Sequence, residues 1–257
     1  MLSAEQIEQN YKTFRETITK FFPTRIANLN AMYDEFDLDA RLMTAPASSV
    51  EHYHNAFPGG YVDHVLRVVD FSIKEYKYWK ADGLMVDNFT LEELVFAAFH
   101  HDLGKIGLPG EGLVSYVINE SEWHRKNQGK MYMHNSDVPF ALVPDISLFL
   151  LQHFGITYTW QEFLAIRTHD GLYDEANKAY FFSKSLDTRP KTNINQILHV
   201  ADYKAARFEF ERWALKSGKF NFWNGEKVQP AKKILQETFK ADSAKQAFDK
   251  AFGELVK

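Results

Sequence analysis

Leu94-Val95-Phe96-Ala97-Ala98-Phe99-His100-His101-Asp102-Leu103-Gly104-Lys105 is the stretch on which the reading of this chain turns. An apolar helical run leads straight into histidine, aspartate and lysine. Such an ending is unusual for a core helix, because polar groups are costly to bury without partners. Imidazole and carboxylate are the nitrogen and oxygen donors of a divalent-cation site. A lysine within one turn suits a phosphate. If the rest of the chain supplies further ligands, the chemistry indicated is metal-dependent phosphoryl hydrolysis.

The flanks read as helix. Thr90-x-x-Glu93 is a capping box opening the helix that carries the doublet. Upstream, Gly59-Gly60 precedes a strong helix over about Tyr61 to Tyr78, with Val62, Val65, Leu66, Val69 and Ile73 at spacings of three and four. Ser3-x-x-Gln6 opens a first helix to about Phe21, and a second runs after Pro23 to about Tyr33. Residues 36–58 look irregular. Downstream, Gly104, Gly107, Pro109, Gly110 and Gly112 break the chain. Residues 106–137 read as a long loop with short helical pieces at best, its aromatics arguing against disorder. Helices follow over about Asp145 to Gln152, from the Thr159-x-x-Glu162 cap to His169, and from about Asn193 to Lys216. A polar, turn-rich stretch separates the last two. A turn around Phe220 to Pro230 and two short helices close the chain. No convincing strand set or repeat is visible, so the expected fold class is all-α, a helical bundle with long loops. The expected organisation is an N-terminal helical segment over 1–48, a principal domain over 49–216, and a C-terminal helical extension over 217–257 packed on the same domain.

Bulk properties narrow the function. The chain has 257 residues, with 22 Phe, 12 Tyr and 5 Trp, enough for a sizeable core. A net charge of -4 gives no global field for nucleic acid, so phosphate recognition must be local. The absence of cysteine excludes disulfides and thiolate zinc sites. The start has no basic, then apolar, signal-like segment, and no apolar run is long enough to span a bilayer. A cytoplasmic address without membrane association is expected.

A metal site needs three or four protein ligands and a position for water. Four candidates stand on three helices: His64, the His101-Asp102 pair, and Asp202 within Leu198-His199-Val200-Ala201-Asp202. A carboxylate among Ile197, Val200 and Ala201 is costly unless paired or metal-bound. Lys105 either neutralises phosphoryl charge or satisfies carbonyls at a helix end. His169, in a second doublet with Asp170, also ends a helix, where a histidine is favourable for dipole reasons alone. Trp123, Arg125, Lys126 and Lys130 sit in a segment mixing aromatics and bases. It reads as a base-stacking and phosphate-gripping element or as a solvated loop with a Trp anchor. Arg207 reads as a phosphate contact or a surface salt bridge.

At this point a resemblance becomes visible. His54-Asn-Ala-Phe-Pro-Gly-Gly-Tyr-Val-Asp-His64, Phe99-His-His-Asp-Leu-Gly-Lys105 and Leu198-His-Val-Ala-Asp202 resemble the HD superfamily of metal-dependent phosphohydrolases, over about residues 50–210. The resemblance implies an HD-domain bundle and a divalent cation (Mn, Co, Ni, Fe, Zn or Mg) held by His64, His101, Asp102 and Asp202. One tightly held ion is expected, with a second left open; His124, His134, His153 and His169 are available to it. Water activated at the cation would attack phosphorus, with Asp102, Lys105 and His169 as the catalytic set. Substrate contacts are expected from Lys105, Trp123, Arg125, Lys126, Lys130 and Arg207. His52 and His54 are expected to shape the pocket rather than ligate. His199 is expected beside the site or packed, and Asp63 and Asp70 to form a polar face. The implied activity is hydrolysis of a phosphoester or phosphoanhydride of a small nucleotide (nucleotidase or dNTPase-like). The alternatives are a phosphodiesterase acting on a cyclic nucleotide or an RNA 3′ end, and a non-catalytic nucleotide-binding scaffold.

Overall fold

The structure, a computed structural model, describes residues 1–37, 40–183, 185 and 187–218. The chain divides into two compact units, Met1–Glu209 and Phe210–Lys257. The expected C-terminal turn and helices beyond 218 lie outside the described residues.

The fold is mostly α-helical. Ten α-helices stand among the described residues: α1 (Ala4–Phe21), α2 (Ile26–Asp37), α3 (Arg41–Thr44), α4 (Gly60–Ala81), α5 (Leu91–His100), α6 (Glu122–Gln128), α7 (Val143–His153), α8 (Trp160–Thr168), α9 (Lys178–Phe182) and α10 (Ile194–Ser217). The three capping boxes read from sequence are formed. Ser3 and Gln6 start α1, Thr90 and Glu93 start α5, and Thr159 and Glu162 start α8. Each satisfies backbone N–H groups that a helix start otherwise leaves without partners.

The stretch expected to be a loop holds a small antiparallel hairpin. β1 (Tyr116–Ile118) pairs with β2 (Tyr132–His134) in the register Tyr116 to His134, with α6 between them. Strands of three residues are too short to show an alternating pattern in sequence. Val50 bridges Lys130, and the Glu51 N–H donates to the Gly129 carbonyl at 2.7 Å. The irregular segment ahead of α4 is thereby tied to the hairpin.

One aromatic core joins the N-terminal helices to the centre. α4 packs on α5, α5 on α8, and α8 on α7. Phe14 of α1 lies 4.1 Å from Phe99 and 5.0 Å from Tyr33, ring centre to ring centre, and Phe22 lies 5.3 Å from Phe96. Burying rings in such edge and tilted contacts supplies much of the driving force for folding.

Arg25, between α1 and α2, joins the starts of α5 and α8. Its Nη1 donates to both oxygens of the fully buried Glu162 at 2.9 and 3.0 Å, and its Nη2 to Glu92 at 3.0 Å. The guanidinium lies 3.7 Å above the Phe96 ring.

The turn after α5 is clamped. The Gly104 N–H donates to Ser147 Oγ at 2.9 Å, and Ser115 Oγ donates to the Gly104 carbonyl at 2.7 Å. A Cβ at Gly104 would stand 2.5 Å from the Val143 carbonyl oxygen, so only glycine lets α7 approach this closely. No described helix is long and apolar enough to cross a membrane.

Candidate metal centre

Three buried histidines are aimed by the same device. His101 and His169 each cap a helix, α5 and α8. Their Nδ1–H groups donate backward to the Ala98 and Ile166 carbonyls, both at 2.8 Å. His64, in the second turn of α4, donates its Nδ1–H to the Glu209 carboxylate at 3.1 and 3.2 Å. With Nδ1 committed as donor, Nε2 is the nitrogen left to ligate.

Two carboxylates surround those Nε2 atoms. Asp202 Oδ1 lies 3.1 Å from His64 Nε2 and 3.7 Å from His101 Nε2. Asp102 Oδ2 lies 3.3 Å from His101 Nε2 and 3.5 Å from His64 Nε2. Asp102 Oδ1 faces the other way, 3.6 Å from His169 Nε2. Two overlapping trios result: His64, His101 and Asp202, and His101, Asp102 and His169. In each, the donor atoms lie within 4.8 Å of one another.

The donor set fits a divalent cation. The Nε2 atoms of His64 and His101 are fully buried and make no directed hydrogen bond, despite the carboxylates beside them. A buried nitrogen left that way costs free energy that a ligated ion would recover. Nitrogen and carboxylate oxygen without sulfur suit a borderline or hard divalent ion.

Charge in the cluster is strongly coupled. Burial alone would push the His64 imidazolium down, but the Glu209 and Asp202 carboxylates outweigh it and raise the pKa to about 9. His101 behaves likewise: burial opposes its charge, and Asp102 and Asp202 raise it to about 10. His169 is raised too, by Asp170 and Asp102 against burial. Burial would raise the Asp102 carboxyl, yet Lys105 and His101 hold it well below the usual carboxylate range. Asp202 is held low in the same way by His101 and His64. His64 and His101 therefore stand as imidazoliums at neutral pH and the two aspartates as carboxylates, with protons where a cation would sit.

Lys105 belongs to the cluster. Its Nζ donates to Asp102 Oδ2 at 2.6 Å. The bland expectation, a lysine satisfying helix-end carbonyls, does not describe this contact. Several of the other residues expected to contact substrate have local partners. Lys126 pairs with Glu122, Arg125 donates to the Asn119 carbonyl, and Trp123 is exposed with its ring against His124. Lys130 joins the bridge to Val50, and Arg207 is exposed on α10.

Among the other histidines, His134 bonds the Val138 carbonyl and His153 lies against Phe149. His199 is packed beside the site, its Nδ1–H donating to the His169 carbonyl at 2.9 Å. Asp63 is more than part of a polar face. It accepts from Arg67 at 2.6 Å and from Asn55 at 2.8 Å, whereas Asp70 pairs with Lys74 along α4.

Two residues of the site carried no assignment from sequence as its supports. Glu209 is buried and is held from its other side by Arg67 Nε at 3.0 Å. It follows Asp202 by seven residues, two helical turns along the same face, and that spacing was the available signal. His54 was expected only to shape the pocket. Its ring lies 4.9 Å from that of His64, and its Nε2 lies 3.5 Å from Lys105 Nζ.

Comparisons with protein-family models, with curated proteins and with solved structures find no match for this chain.

Proposed function

We propose that this chain is an HD-type metal-dependent phosphohydrolase acting on a phosphoester or phosphoanhydride of a nucleotide. The observation that carries the reading is the convergence of His64, His101, Asp102 and Asp202, with two buried Nε2 atoms left without directed partners. These four residues would hold the cation, with His169 beside Asp102. A bound divalent cation supplies a polarised phosphoryl oxygen and a water of lowered pKa.

The remaining work falls to the chain's own residues. Asp102, held ionised by Lys105 and His101, offers an oxygen that accepts a proton from water. Lys105 places an ammonium where negative charge grows on the phosphoryl oxygens. His169, whose Nε2 lies 3.6 Å from Asp102 Oδ1, would in its protonated form offer a proton to a leaving oxygen.

A phosphodiesterase reading draws on His169 beside Asp102: these two would help hold a second cation next to the first, Asp102 serving both, and two adjacent cations suit diester cleavage. The test is turnover of a nucleotide panel with Mn2+, Co2+, Ni2+ or Mg2+, beside Asp102→Ala. The panel holds ribo- and deoxy-monophosphates and triphosphates, cyclic nucleotides and a short RNA. Metal-dependent release of phosphate or nucleoside, lost in the variant, is the expected result. Turnover confined to cyclic nucleotides or RNA would favour the diesterase. A protein that takes up no metal and hydrolyses nothing would be a scaffold instead.

A further inference from the structure

The segment ahead of α4 is held in a conformation that few sequences adopt. Asn55 has φ of 41°, a left-handed backbone that few residue types besides glycine and asparagine adopt readily. Its Nδ2 donates to Asp63 Oδ2 at 2.8 Å, anchoring the segment to α4. Gly59 also has positive φ, at 77°. A Cβ on Gly60 would lie 2.0 Å from the Asn55 carbonyl oxygen. The Ala47 N–H donates to that same carbonyl at 3.2 Å. Strain, two glycines and a side-chain anchor converge on one residue step, and strain of this kind gathers at functional sites.

The product of that arrangement is the placement of His54. Its ring covers His64, and its Nε2 stands 3.5 Å from Lys105 Nζ, at the outer limit of a hydrogen bond. His54 Nε2 faces an ammonium, which can only donate, so this nitrogen is the acceptor of the pair. An ammonium has three donors. Asp102 Oδ2 takes one of those on Lys105, and His54 Nε2 stands beside a second. The third is left for a ligand. Without His54, the ammonium is free to turn about its stem and settle wholly on Asp102.

The geometry points to His54 as a positioning residue that accepts from Lys105 Nζ and holds that ammonium toward the phosphoryl group of the substrate. This rests on the phosphohydrolase reading. It adds a residue outside the metal ligands that sets how the phosphoryl group is gripped.

The experiment is calorimetric titration of inorganic phosphate into the Mn2+-loaded full-length protein, with metal content measured for each variant. His54→Leu should weaken phosphate binding about tenfold, the scale of one charge-assisted hydrogen bond, with metal content unchanged. His54→Gln, which keeps an acceptor, should bind within about threefold of the parent protein. In a Lys105→Met background, His54→Leu should add nothing further, because its effect runs through the ammonium. Equal binding by His54→Leu and the parent, or additive losses in the double variant, would overturn the role of His54 alone. Loss of metal from both His54→Leu and His54→Gln would also overturn it, by making His54 a support of the metal site. A metal-loaded parent protein that binds no phosphate and turns over none of the panel would overturn the phosphohydrolase reading and this inference together.

Discussion

Glu209 receives the Nδ1–H of His64 across 145 residues of chain, with its carboxylate oxygens 3.1 and 3.2 Å from that nitrogen. The bond fixes the tautomer and the ring plane of a residue whose other nitrogen faces the carboxylates. Arg67 closes the arrangement by donating to the same carboxylate.

Glu209→Ala should therefore lower divalent-metal affinity by about 10- to 100-fold, the usual effect of removing a partner behind a ligating histidine. Competition for Mn2+ with a fluorescent chelator measures it. Unchanged affinity would mean that the His64 ring is oriented by packing alone.

Metal uptake should release protons. In the metal-free fold, His64 and His101 titrate near 9 and 10, above the ordinary histidine value. Their protonation stabilises the metal-free fold fully below about pH 6.5, the unfolded value, and that contribution is lost as pH rises through about 9 and then about 10. A bound cation replaces both protons, so about two should be released per ion at pH 7.5, and fewer with rising pH through 9 to 10. Calorimetry in buffers of different ionisation enthalpy counts them. A release independent of pH across that window would contradict the assignment.

Arg25→Met should cost about 3–5 kcal/mol of stability, because it leaves Glu162 charged and buried without its partner. Glu162→Gln keeps the cap on α8 while removing the charge. The double variant should be more stable than Arg25→Met by itself. Urea denaturation decides the order, and a double variant less stable than Arg25→Met would show that the pair acts by packing.

The candidate site was partly legible in sequence, and the reasons are physical. His64, His101, Asp102 and Asp202 stood out because each interrupts an apolar helical face, where a polar group needs a specific partner. Glu209 did not stand out. It lies in Arg207-Phe208-Glu209-Phe210-Glu211-Arg212, where charges alternate with aromatics and any one carboxylate reads as surface. His54 was legible only as a pocket-shaping residue, for another reason: its placement beside Lys105 depends on the backbone turn at Asn55 and Gly60, and no periodicity encodes that. The segment around Trp123 was read from composition, which does not distinguish a ligand-gripping element from a solvated surface one. Its bases and aromatics are engaged with neighbouring carbonyls, carboxylates and rings. The helical framework was easier to read because each of its three capping boxes is a local device, complete within four residues. The hairpin needed pairing between segments about sixteen residues apart, which a local pattern cannot show.

The donors of the cluster arrive from four separate stretches, at His64, at His101 and Asp102, at His169 and at Asp202, spanning most of the first compact unit. No single stretch holds the set. The assembled site thus exists only once those long-range contacts have closed, and a chain that has not closed them lacks the full donor set. Once seated, an ion would tie those stretches together as a cross-link, so that losing it and opening the fold become a single event.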